Sequence, residues 1–121
     1  MTSRKPLIMA FALLFLFGCK KEPVLKISDT IDLIVSEEDT DKVFYIFVEN
    51  SGNENLKIRN IQTSCKCMSN DFEAMVIPPK NRDSIKLIYI NDMKEDSKER
   101  IVLYTNTKEK LHFITVNKKI Q

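Results

Sequence analysis

The sequence predicts an all-β sandwich of about seven short strands, and three observations carry that expectation. From residue 19 onward the chain holds 20 Val and Ile residues against six Leu and a single Ala. β-Branched side chains fit the pleated surface of a sheet, whereas helices favour Ala and Leu. Turn-forming clusters recur about every ten residues, and no stretch sustains the 3.6-residue period of an amphipathic helix.

The first candidate strands are residues 25–27 and 31–35. The acidic run Glu37-Glu38-Asp39-Thr40-Asp41 separates them from the strand 43–49. The run lacks the alternating oxygen ligands around a Gly that a calcium loop needs, so it reads as a solvated connection. Strand 43–49 ends at Asn50-Ser51-Gly52-Asn53, a turn cluster in which Gly52 is expected to supply a positive φ. Residues 56–61 begin with the alternation Leu56-Lys57-Ile58-Arg59 and continue toward Cys65. The segment 72–77 stops at Pro78-Pro79, which cannot continue a central strand.

Residues 84–90 place Ile85, Leu87 and Tyr89 on one face. Residues 95–100 admit one helical turn, and 100–105 turns Ile101 and Leu103 inward before the Asn106-Thr107 turn. Residues 111–116 close the domain, with His112 an ordinary strand residue between Leu111 and Phe113. Lys108, Lys110, Lys118 and Lys119 read as a charged guard on an exposed edge strand. The span 24–121 has the size of one immunoglobulin-like module, about 100 residues.

The N-terminal segment follows a different logic. Arg4 and Lys5 precede an unbroken apolar run, residues 7–17, which is about half of what a membrane-spanning helix needs. A short basic segment, an apolar stretch and small residues form the layout of a secretory signal peptide. Leu16-Phe17-Gly18-Cys19 resembles the bacterial lipoprotein signal, with Leu three residues before a Cys and a small residue just before it. That resemblance implies cleavage after residue 18 and a diacylglyceryl and acyl (palmitate-type) anchor on Cys19, a stable membrane attachment. Residues 19–23 then form a short tether, and 24–121 the folded domain. Lys20 stands where an Asp resembles an inner-membrane retention signal, which points to the outer membrane.

Removing the signal changes the charge. The full chain of 121 residues carries 19 Lys and Arg against 17 Asp and Glu. Arg4 and Lys5 leave with the signal, so the mature chain is neutral and gives no reason to expect a nucleic-acid groove. One His and two Gly exclude His-rich metal sites and Gly-rich phosphate loops. No Ser-His-Asp or Cys-His set can be built except around His112. The expectation is a protein that is not an enzyme and uses no cofactor.

Thr63-Ser64-Cys65-Lys66-Cys67-Met68 is the one chemically distinctive stretch. In an extended strand, i and i+2 lie about 6.6–7 Å apart on one face, near the upper limit for a disulfide, so closing the bond needs a kink. Three readings stay open. The pair forms a structural or redox disulfide, which suits an exported chain. Alternatively it holds a soft metal such as Cu(I) or Zn through Cys65, Cys67 and Met68. In the third reading, both thiols serve as packing groups.

Phe44-x-Ile46-x-Val48-x-Asn50-x-Gly52, then Leu56-x-Ile58-x-x-Ile61 and Ser64-Cys65-Lys66-Cys67, resembles the domain of unknown function 1573, common in exported proteins of Bacteroidetes. Ile77-Pro78-Pro79, Ile85-x-Leu87-x-Tyr89 and Ile101-x-Leu103-x-Thr105-Asn106 continue the pattern, which covers about residues 28–118. Lys66, Met68 and Lys80 stand where that family usually has Gly, Thr and the Gly of a Pro-Gly turn. The resemblance implies an immunoglobulin-like sandwich, similar in shape to modules of motile cilia and sperm proteins, with no established catalytic activity. The functional expectation is a membrane-anchored module that binds or scaffolds an unidentified envelope protein. The alternative is a redox or copper-handling lipoprotein acting through Cys65 and Cys67.

Overall fold

Residues 20–91 and 95–121 are described by a computed structural model. The signal segment and Cys19 lie outside the described residues. Nine strands form among the described residues, with no helix: β1 (Leu25–Ile27), β2 (Thr30–Val35), β3 (Asp41–Asn50), β4 (Leu56–Thr63), β5 (Met68–Ser69), β6 (Met75–Ile77), β7 (Arg82–Ile90), β8 (Ser97–Thr105) and β9 (Leu111–Ile120). They build two sheets in the orders β1-β3-β7-β5 and β2-β9-β8-β4-β6. The β-sandwich expected from composition and turn spacing is the observed fold, with nine strands among the described residues in place of about seven.

Period-two alternation sorts the side chains. Phe44, Ile46 and Val48 on β3 and Ile85, Leu87 and Tyr89 on β7 line the inner face of the first sheet. Leu33, Val35, Leu56, Ile58, Ile101, Leu103, Ile114 and Val116 face them from the second. Full burial of each such aliphatic side chain contributes about 1.5–3 kcal/mol, which is what holds the layers together. On β4 the spacing Leu56-x-Ile58-x-x-Ile61 breaks the alternation. A register irregularity between Ile58 and Asn60 absorbs the extra residue and returns Ile61 to the core.

The opening segment changes sheet. β1 pairs antiparallel with β3, whereas β2, across Ser28-Asp29, pairs parallel with β9 from Thr30↔Thr115 to Val35↔Ile120. β9 therefore lies inside its sheet and is not an edge. Lys108, Lys110 and Lys119 are exposed, but Lys118 is only 2% exposed. Its Nζ donates to Asn91 Oδ1 at 3.4 Å and lies 5.0 Å from the Tyr89 ring centroid. The edge-guard expectation thus fails: β2 covers the edge of β9, and Lys118 follows Ile114 and Val116 on the inward face of the strand.

Other expectations need correction. Residues 97–100 belong to β8, paired with β9 from Ser97↔Lys118 to Arg100↔Thr115, and form no helical turn. The stretch expected at 72–77 is strand only over β6. The acidic run forms a turn between β2 and β3, closed by Asp39 N donating to Ser36 O at 3.0 Å.

Gly52 does not adopt a positive φ. It is needed for close approach: a Cβ there would stand against Glu22 O, 2.7 Å from Val24 N and 3.0 Å from Pro23 C. Lys80 takes the left-handed conformation instead, with φ 64°. Its N donates to Asn50 O at 2.8 Å and its Nζ to Ser51 O at 2.7 Å, which hold that strained turn against β3.

Candidate functional site

The Cys-Lys-Cys stretch lies where the chain crosses between sheets. β4 ends at Thr63 and β5 begins at Met68 in the opposite sheet, so residues 64–67 form a turn and not the extended strand the sequence suggests. Backbone pairing fixes both ends of the turn. Ser64 N donates to Arg100 O at 2.8 Å, and Ile90 N donates to Cys67 O at 2.6 Å. Thr63 Oγ1 donates to Cys65 O at 3.0 Å. The turn brings the two Cys Cα atoms to 5.2 Å, inside the disulfide range, and Cys65 and Cys67 are joined by a disulfide.

Both cysteines are half-buried and pack with Phe72 against the core, while Lys66 between them is exposed. Met68, the third soft donor in the sequence, is buried in the core. A residue with no distinguishing signal in the sequence completes the cluster. Glu99 on β8 brings a carboxylate oxygen to the two sulfurs, all three ligand atoms lying within 4.8 Å of one another. Ser64 fixes that carboxylate: its Oγ donates to Glu99 Oε2 at 2.8 Å and accepts from Arg100 N at 2.8 Å. An open cavity of about 530 Å³, lined by Ser64, Lys98, Glu99, Arg100 and Thr115, adjoins Ser64 and Glu99 but neither cysteine.

His112 is not part of this cluster. It sits near the hairpin end of β9, four positions from Val116, the partner of Glu99, which is about 13 Å along a strand. Its Nε2 is 2.8 Å from Thr107 Oγ1, which itself donates to Glu109 O at 2.6 Å. Burial lowers the His112 pKa below its ordinary value, against a smaller opposing effect of Glu109.

A second feature is the outer face of the first sheet. Val43, Tyr45 and Phe47 follow one another along β3 with outward side chains, and Phe47 is 75% exposed. The Tyr45 and Phe47 ring centroids are 6.4 Å apart. Opposite them on β7 stand Ile88, Lys86 and Ser84. β1 pairs with β3 only from Leu25↔Asn50 to Ile27↔Val48, so among the described residues 41–47 no strand covers that edge of β3.

Residues 25–120 match the family described as Protein of unknown function (DUF1573). The chain belongs to this family. No curated protein shows significant sequence similarity to this DUF1573 chain. Among solved structures it is similar to a protein of unknown function from Porphyromonas gingivalis W83, with a TM-score of 0.72 and 14% identity over 82% of the chain. The alignment covers 47% of that protein, so this DUF1573 chain spans about half its length. It is also similar to PapD-like domain 7 of human CEP192, with a TM-score of 0.65 at 7% identity, covering 85% of this chain and 89% of that domain. A third likeness is to the YadV chaperone, with a TM-score of 0.59 at 15% identity, covering 80% of this chain and 52% of that one. At these identities the likeness establishes the fold, and fold alone assigns no function.

Proposed function

We propose that the chain is a lipid-anchored protein of the cell envelope, of the kind exported by Bacteroidetes, acting as a non-enzymatic binding or scaffolding module at the outer membrane. The apolar stripe Val43, Tyr45 and Phe47 beside the uncovered edge of β3 carries the reading. Exposed contiguous apolar surface next to open backbone groups suits addition of a partner's extended segment.

The tether supports the same reading. Asn53 Nδ2 donates to Lys20 O at 2.9 Å, and Glu22 N donates to Asn53 Oδ1 at 2.9 Å. A lipid on Cys19, one residue before Lys20, would hold the β3–β4 end of the sandwich at the membrane surface. Phe47 lies three residues from Asn50 at that end, about 10 Å along the strand. The partner would therefore be another component held close to the same membrane.

The test is affinity recovery from envelope membranes with the wild-type chain and the Phe47→Ser variant. A specific envelope protein recovered by the wild type and lost by the variant is expected. Repeated recovery of no specific partner refutes the reading.

The disulfide favours a second reading, a redox or copper-handling lipoprotein. Cys65 and Cys67 close a loop of only three residues. Loop-closure entropy gives such a bond about 1.6 kcal/mol, against about 3 kcal/mol for a 15-residue loop. Stapling is thus a minor return for the pair, and exchange chemistry at a half-buried turn is the better use of it. Full cellular function in a Cys65→Ser/Cys67→Ser variant, with no Cu(I) bound by the wild type, sinks this reading.

A further inference from the structure

We infer that Cys65, Cys67 and Glu99 form a redox-gated site for a zinc-class divalent ion, closed while the disulfide stands and opened by its reduction. The inference rests on the reducibility of the pair in the second reading above, and adds a ligand set and a metal class to it.

The geometry decides the ligand set. Zn–S and Zn–O bonds of about 2.3 and 2.1 Å at tetrahedral angles put sulfur atoms about 3.8 Å apart and sulfur and oxygen about 3.6 Å apart. The three ligand atoms already lie within 4.8 Å of one another. Reduction frees the sulfurs to separate, and a Cα separation of 5.2 Å across a turn accommodates that spread without moving β4 or β5. The hydroxyl of Ser64 holds the carboxylate in place at 2.8 Å, the outer-sphere support that metal-binding carboxylates use.

Two thiolates and one carboxylate are a borderline-soft donor set, which selects zinc over magnesium or calcium. The fourth position is left for water or a donor from a bound partner.

The steps balance. A dithiol reductant gives two electrons and two protons to the disulfide, becoming a disulfide itself and leaving two thiols on Cys65 and Cys67. Zinc binding then releases both thiol protons to solvent, as deprotonation of thiol ligands requires.

The purified full chain is tested in two states, as isolated and after anaerobic phosphine reduction, by equilibrium dialysis against Zn²⁺ with elemental analysis. One zinc per reduced chain and none per oxidised chain is expected. Glu99→Gln keeps an oxygen to accept from Ser64 yet removes the charge, and weakens binding by about 10-fold or more. Co²⁺ in place of Zn²⁺ gives the intense thiolate charge-transfer absorption of a tetrahedral site in the wild type and loses it in Cys65→Ser/Cys67→Ser. A reduced chain that binds no zinc, or a Glu99→Gln variant that binds as tightly as wild type, overturns the inference. Zinc binding after phosphine treatment in a chain that dithiols leave oxidised keeps the ligand set and overturns the redox reading together with the gating that rests on it.

Discussion

Substituting Gly52 by Ala attacks the junction between tether and sandwich, and its effect can be worked out atom by atom. The added Cβ meets Glu22 O, and lies 2.7 Å from Val24 N and 3.0 Å from Pro23 C. These are backbone atoms, so no side chain can swing aside to make room. Either the turn shifts or residues 20–24 lift away. Lifting breaks the bonds from Asn53 Nδ2 to Lys20 O, Glu22 N to Asn53 Oδ1, Asn53 N to Glu22 O and Ser51 N to Val24 O. Four partly exposed bonds at the low end of about 0.5–1.5 kcal/mol each sum to about 2 kcal/mol. Keeping the contact as overpacking costs a similar amount, about 1–3 kcal/mol. Guanidinium unfolding should therefore show a loss of about 2 kcal/mol, and the Ser51 and Asn53 amides should exchange faster. Asn tolerates left-handed backbone, yet here Gly52→Asn should be at least as damaging as Ala. A loss below about 0.5 kcal/mol with both amides still protected refutes the reasoning, as does rescue by Asn.

Three further outcomes follow from the same structure. Lys80→Val places a β-branched residue at φ 64° and should destabilise the chain by about 1–2 kcal/mol, whereas Lys80→Gly should be neutral or mildly stabilising, read from denaturation midpoints. Cys65→Ser/Cys67→Ser should lower unfolding free energy by no more than about 1.6 kcal/mol and leave the far-ultraviolet circular dichroism unchanged. His112 is held neutral by burial, so its folded pKa lies below the ordinary 6.5. The unfolded chain then binds the proton more readily, so this contribution is fully present above about pH 6.5 and is lost as pH falls through the lowered folded value. Chemical denaturation between pH 7.5 and 4.5 should show that acid-side loss, and His112→Gln should reduce it.

The inward faces of β3, β7 and β8 were legible because alternation is a local signal: Ile85, Leu87 and Tyr89, or Ile101 and Leu103, declare their side of the sheet without reference to any partner. What a partner strand decides was not legible. Ser97, Lys98, Glu99 and Arg100 have no apolar pattern and become strand only because residues 115–118 pair with them. β5 is two residues long and too short to show any period. Lys118 looks like a surface lysine until Asn91 and Tyr89, 27 and 29 residues away in the chain, are brought over it. The Cys pair was visible as a motif, but the turn that closes it depends on a sheet crossing. Glu99 joins it through a fold contact across more than thirty residues. At Gly52 the sequence suggests a conformational need, whereas the fold requires the absence of a side chain, a distinction that sequence cannot draw.

The binding-module account is tested most directly by a photocrosslinking residue placed in the full chain in its own envelope, at position 47 and, separately, at position 113. Phe113 is also apolar and 53% exposed, but it lies on the outer face of the opposite sheet. The account predicts a discrete adduct with one envelope component from position 47, absent from position 113 and lost when Tyr45→Ser is added. No adduct at position 47, or equal adducts from both faces, contradicts it.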